Sequence, residues 1–218
     1  MLLLAAMLLP LATHAQETLT VHDGTATNNY VPVYGFYCDD YVKCQSVYPA
    51  SELVMMAGGQ ITGLTYYAST VPNSWGASTF KVYLMEVANA TISAYADYTN
   101  ATVVYSGALD ATSGTMVINF TTPYVYTGGN LLIGIQSLTD GSYSSVYWYG
   151  ESVTGASVRG YNSSSADASS ASVQNFLPKT TFSYAPGDLS CPFVSNFHYD
   201  NLTARSVDLS WTAGGSES

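Results

Sequence analysis

"TFKVYLMEV", residues 79–87, decides the fold class. Phe80, Val82 and Leu84 alternate with Lys81, Tyr83 and Met85. A period of two sends successive side chains to opposite faces, so this is a strand with one face inward. "TMVINFTTP" (115–123) repeats the pattern, with Met116, Ile118 and Phe120 against Val117, Asn119 and Thr121. "NLLIGIQ" (130–136) is apolar almost throughout and reads as a central strand. Further β-branched or aromatic runs are "TLTVHDG", "GQITGLTYYAS", "TVVYSG", "SSVYWYGE", "ASVRGY" and "LPKTTFSYAPG", each ended by Gly, Asn, Asp or Pro or by a polar turn. "TGGN" (127–130) and "TDGS" (139–142) carry the glycines that hairpin turns demand. No segment has a convincing helical period; Ser51-Glu52-Leu53 could start one helical turn, stopped by Gly58-Gly59. About nine or ten strands at this spacing predict an all-β chain, an antiparallel β-sandwich of jelly-roll-like type. "YNSSSADASSASVQN" (161–175) has little to bury and reads as a long surface loop.

Composition fixes the setting. Only 9% of the 218 residues are charged, against about 25% in an ordinary soluble domain. The polar surface must therefore come from Ser, Thr, Asn and the 19 tyrosines, apolar along the ring and wet at the tip. Net charge is −10 with five scattered basic residues, which leaves no phosphate-neutralising patch and excludes nucleic acid as a partner. "MLLLAAMLLPLATHA" (1–15) is an apolar run with a small-x-small site before Gln16, the pattern of a secretory signal peptide. It is too short for a membrane anchor, which needs about 20 apolar residues, so no membrane insertion is expected. Residues 16–187 read as the sandwich domain.

The pattern changes at "APGDLSCP" (185–192). Cys191-Pro192, an apolar strand, a polar turn and "SVDLSWTA" resemble strands A and B of a fibronectin type III domain, with Leu209 and Trp211 at inward positions. Residues 188–218 are thus expected to be a linker and the first two strands of a truncated fibronectin type III domain. Two strands cannot bury a core, so residues 192–218 are expected to pack poorly, and the natural protein to continue. In the main domain, "VYGFY…YPASEL" with "GGQITGLTYYAS", "FKVYLMEV" with "VVYSG", and "FTTPYVYTGGNLLIGI" with "FLPKTTFSY" resemble an N-terminal β-sandwich module of secreted, multidomain surface proteins from gut and oral Gram-negative bacteria. That module often precedes fibronectin type III repeats and adhesin-like domains. The resemblance implies export and cell-surface display. It implies no catalytic mechanism, and the cysteines 38 and 44 are not part of the pattern.

Chemistry-bearing residues are sparse. His22 alone could serve a catalytic triad in the main domain, and no nucleophile elbow or His-Glu-x-x-His occurs. Glu86 is the one acid well inside a strand pattern and reads as a solvent-facing carboxylate without a visible partner. Asp23, Asp39 and Asp40 offer oxygens that calcium could use, although solvated turn residues are the favoured reading; no other cofactor is expected. Trp75 in the loop "VPNSWGAS", and Tyr147, Trp148 and Tyr149 in "SVYWYGE", are the candidates for stacking on sugar rings. Core packing is the favoured reading for aromatics in general, which makes the loop Trp75 the more telling of them. In "CDDYVKC", Cys38 and Cys44 lack the ligand number for zinc and the spacing of a thioredoxin motif. In an exported chain a disulfide pinning a small surface loop is the favoured reading. The function expected is a non-catalytic secreted or cell-surface module of a larger protein, serving in adhesion or as a spacer, with extracellular glycans or host and matrix proteins as partners. The alternative is a glycan-binding accessory domain of a secreted hydrolase or protease whose catalytic domain lies beyond residue 218.

Overall fold

The computed structural model describes residues 16–165, 167–168, 170–187, 195–203 and 205–212. The proposed signal peptide and Cys191 lie outside them. The strands, in chain order, are β1 Glu17–Val21, β2 Ala26–Asn28, β3 Tyr41–Tyr48, β4 Gln60–Thr70, β5 Thr79–Val87, β6 Thr102–Gly107, β7 Thr115–Val125 and β8 Asn130–Thr139. They continue as β9 Tyr147–Glu151, β10 Ser157–Asn162, β11 Ser172–Gln174, β12 Leu177–Pro178, β13 Thr180–Ala185, β14 Ser195–Asp200 and β15 Asp208–Thr212. The protein is all-β, and its main unit, up to Gly187, is an antiparallel sandwich. One sheet runs β1-β13-β4-β9-β12, with β7 also on β4 and β2 on β9; the other runs β11-β10-β3-β8-β5-β6.

The alternation in the sequence is what buries the core. Phe80, Val82 and Leu84 from β5 and Met116 and Ile118 from β7 are fully buried between the sheets, while Val117 and Asn119 face solvent. Trp148, Tyr48, Tyr66 and Phe182 fill the centre, each large side chain contributing about 1.5–3 kcal/mol by leaving water. β8 is buried from Leu131 to Ser137, as a strand paired on both edges should be. Glu86 is no free surface acid. Its carboxylate accepts from Thr127 N, Thr127 Oγ1 and Gly129 N at 2.6–2.8 Å and fastens the β7–β8 turn.

The largest departure from the sequence reading is "CDDYVKC". It is not a pinned loop: Tyr41–Tyr48 is a central strand between β10 and β8, buried on nearly every residue. Its polar residues hide this. Lys43, Gln45 and Val47 lie on the outer face, which the segment 88–101 covers as a second small core of Val47, Tyr83, Ile92, Leu132 and Val158. Gln45 exchanges two hydrogen bonds with Ala96, at 2.8 and 3.1 Å, and donates to the Tyr83 hydroxyl. Tyr95 donates to Lys43 O, and the buried Lys43 ammonium sits 2.6 Å from Asp167 and 4.3 Å from the Tyr95 ring centroid.

The expected disulfide is absent. Cys38 and Cys44 are free buried thiols, each aimed at a backbone carbonyl of its own, Tyr34 O and Tyr30 O respectively. An extended β3 leaves no tight six-residue loop to close. Burial raises both thiols, Cys38 well above the ordinary range and Cys44 to about 12. The helical turn in 48–59 takes the form of two 3-10 turns, Ala50–Glu52 and Val54–Met56. The loop of 161–175 is shorter than read, because β10 runs to Asn162 and Ser172–Gln174 pairs with it as β11.

The second unit, from Asp188, contains the antiparallel pair β14–β15. Leu209, expected inward, is half exposed there; the Trp211 side chain lies outside the described residues.

Candidate functional site

The rim segment 28–40 leads from β2 into β3. Asn28 Oδ1 accepts from Tyr30 N and Val31 N, which turns the chain, and Gly35–Tyr37 forms a 3-10 turn. That turn is locked to the 140–146 loop. Ser144 N donates to Gly35 O and Gly141 N to Cys38 O, both at 2.9 Å, and Ser78 Oγ donates to Cys38 O. Gly35 is required by close approach, since a Cβ there would fall 2.3 Å from Ser144 O and 2.7 Å from Trp75 Nε1.

Trp75 was the most telling candidate for sugar stacking, and the structure places it elsewhere. It is 3% exposed, donates from Nε1 to Ser144 O at 3.0 Å and packs against Phe80 and Trp148. Trp148 is fully buried and donates to Val33 O. Both indoles therefore hold the rim from beneath, because a ring this large with one N–H to satisfy finds both area and acceptor inside. Tyr147 and Tyr149 do reach solvent, at 42% and 36% exposure, on the outer face of β9. The structure does not join them to the two tryptophans in one surface.

A different aromatic surface does form. Phe36 (47% exposed) and Tyr143 (64% exposed) lie with ring centroids 6.0 Å apart and planes tilted by 58°. With Tyr37, Asp39 and Asp40 they line an open cleft of about 330 Å³, within the usual range of about 300–1,000 Å³ for small-ligand sites. The rings are braced in a series. Tyr34 meets Tyr30 and Tyr37 edge-on at 5.0 Å, and Tyr37 lies flat on Tyr161 at 3.7 Å and 8°. Below them the Arg159 guanidinium sits 4.5 Å from the Tyr30 and 4.8 Å from the Tyr34 ring centroid. The Tyr37 hydroxyl is raised above its ordinary range, first by its hydrogen bond with Tyr161. The sequence reading singled out neither Phe36 nor Tyr143; for Phe36 the available signal was the aromatic density of "YGFY" (34–37), one residue before Asp39 and Asp40.

The candidate calcium ligands are not brought together. Asp23 pairs with Lys179, whereas Asp39 and Asp40 border the aromatic cleft. Among the described residues no group of three His, Cys, Asp or Glu could hold a metal ion. His22 is buried with Glu52 Oε2 2.7 Å from Nε2 and Glu151 Oε2 3.2 Å from Nδ1. The Glu52 approach is off the hydrogen-bonding direction, so Nε2 has no hydrogen-bond partner. The two carboxylates address opposite sides of the ring, an arrangement without a nucleophile.

No family model matches the chain, and no curated protein does. Among solved structures it is similar to the clostridial cysteine protease Cwp84, in a variant form after propeptide cleavage, with a TM-score of 0.45 and 11% identity over 79% of this chain and 40% of that one. It is also similar to a structure of the cysteine protease and lectin-like domains of Cwp84, a surface layer associated protein of Clostridium difficile. There the TM-score is 0.43 and the identity 12%, over 68% of this chain and 32% of that one. The chain thus spans less than half the length of either. Likenesses this distant bear on neither its activity nor its ligand.

Proposed function

We propose that residues 16–187 are a non-catalytic, exported module that attaches a larger surface or secreted protein to carbohydrate. Adhesion is then its role, and glycan recognition the means. The observation that carries this reading is the rim cleft, which two exposed aromatic rings and a pair of carboxylates line together. The apolar face of a pyranose stacks on such rings, and its hydroxyls donate to such carboxylates; convergence of a few polar groups in a largely apolar cleft is the ordinary make-up of a ligand site. Export is supported by the signal-like residues 1–15, and the larger protein by the fibronectin-like motif of 188–218. A pure spacer would have no use for large rings held out in water by a locked turn.

A glycan microarray probed with the protein, followed by calorimetry on the glycans it retains, tests this. Wild type should bind, and Tyr143→Ala should lose at least about tenfold in affinity with an unchanged melting temperature. Absence of binding across the array, or binding that Tyr143→Ala leaves untouched, overturns the proposal.

A further inference from the structure

The rim cleft has a neighbour. Arg159, Gly160, Tyr161, Asn162, Ser163, Ser170 and Ser172 border a second open cavity of about 400 Å³. The two share a wall: Tyr37 lines the first cavity and Tyr161 the second, and their rings are stacked in parallel at 3.7 Å. Tyr161 is 43% exposed, so the stacked pair leaves ring area open to solvent between the cavities. We propose that the two cavities form one groove, which holds an internal stretch of a linear, uncharged polysaccharide chain and not a single terminal sugar. This rests on the carbohydrate-binding reading above.

Three features support it. The linings differ in a complementary way. The first cavity offers rings for stacking, and the second is lined by the serines 163, 170 and 172, whose hydroxyls donate and accept hydrogen bonds, with Asn162, whose Oδ1 already accepts from Ser164 and whose amide can still donate. A glycan chain presents both kinds of surface along its length. Charge is the second feature. The first cavity carries two carboxylates, while the Arg159 guanidinium beside the second is engaged under Tyr30 and Tyr34, so a polyanion meets like charge at one end and a polycation finds no counter-charge at the other. A neutral chain meets neither. Rigidity is the third. Arg159 is held over Tyr30 and Tyr34, and Gly160 lies so close to Ser170 O that a Cβ would fall 2.2 Å from it. The strand and the loop that border the second cavity are thereby pressed together before any ligand arrives, which lowers the ordering cost of binding.

Calorimetry of the full chain against neutral β-1,4-glucan, β-1,4-mannan, β-1,4-xylan and β-1,3-glucan oligosaccharides of two to six units tests the groove. With the series that binds, affinity should rise by about tenfold or more from two units to four or five and then level off. Ser163→Trp and Ser172→Trp, which place a bulky ring at the mouth of the second cavity, should bring the long chains down to disaccharide affinity. The disaccharide itself should be unaffected, and Tyr143→Ala should weaken every length. Equal affinity for two and six units, long-chain binding indifferent to both tryptophan variants, or tighter binding of an oligouronate than of the neutral chain of equal length overturns the groove while leaving the carbohydrate module standing. Binding of no oligosaccharide here, together with an empty microarray, overturns the module and the groove together.

Discussion

The Tyr83–Tyr95–Tyr98 cluster and the Tyr34–Tyr37–Tyr161 cluster are built from the same side chain and end in opposite states. In the first, Tyr83 stacks on Tyr98 at 4.7 Å, and two lysines of the chain itself occupy the ring faces: Lys43 is 4.3 Å from Tyr95 and Lys81 4.6 Å from Tyr98. Burial lowers the Lys81 ammonium and raises the Tyr83 and Tyr95 hydroxyls. Tyr83 is fully buried there and Tyr95 and Tyr98 are partly covered, and the cluster closes the outer side of β3. In the second, Arg159 fills the underside only, while Phe36, Tyr143 and Tyr161 turn ring surface to solvent. Aromatic density alone does not decide whether ring faces are open; what the chain packs against them does.

The contrast can be broken most forcefully at Tyr83. Tyr83→Ala removes a fully buried ring from the closed cluster and should cost about 3–5 kcal/mol in chemical denaturation. A loss below about 1 kcal/mol would mean that the 88–101 segment does not seal the sheet. Next comes Asp167→Asn, which leaves the buried Lys43 ammonium with a weaker partner; because the Asp167 side chain is itself 66% exposed, solvent screening holds the expected cost to about 0.5–1 kcal/mol at neutral pH. Lys43 holds the Asp167 carboxyl below its usual range. The pair therefore contributes above the unfolded carboxylate value of about 4 and loses that contribution as pH falls through the lower folded value. Stability against pH should thus fall less steeply below pH 4 in the Asn variant than in wild type; parallel curves would exclude the linkage.

At the open cluster the effects move from stability to binding. Tyr143→Ala should change the unfolding free energy by no more than about 0.5 kcal/mol, while weakening carbohydrate binding as stated above. A large destabilisation would place Tyr143 with the closed cluster. Trp75→Phe keeps the buried ring but removes the hydrogen bond to Ser144 O, so a loss of about 1 kcal/mol is expected, with a severalfold loss of affinity as the 140–146 loop loosens. Unchanged affinity would show that the turn alone positions Tyr143. Smallest of all is the native alkylation of Cys38 and Cys44 at neutral pH. With both thiols buried and held protonated, the thiolate that reacts is scarce, so labelling should be negligible until denaturant is added and then reach both. Intact mass should not change on reduction for this pair.

Nine of the strand segments were legible because half-buried antiparallel strands write a period of two into the chain. β3 was not, since its outer face is covered by residues 40 to 60 positions further on, which lets Lys43 and Gln45 sit in the interior with partners from that cover. The two- and three-residue strands β2, β11 and β12 are too short to carry any period. At the candidate site, Asp39 and Asp40 stood out as a candidate ligand contact; of the four aromatics singled out, Tyr147 and Tyr149 are exposed, whereas Trp75 and Trp148 are buried. A tryptophan in a loop looked exposed, and it became the pin beneath the loop, while Phe36 and Tyr143 looked ordinary.

By itself, then, the amino-acid sequence determined the all-β class, the inward face of most strands, the scarcity of catalytic groups and the boundary near residue 187, since each follows from local periodicity or from composition. Only the tertiary structure decided which rings are core and which are surface, and whether two nearby cysteines meet. A tyrosine or tryptophan has enough apolar area to be buried and enough polarity to be wet, so its fate is set by what the distant chain brings against it.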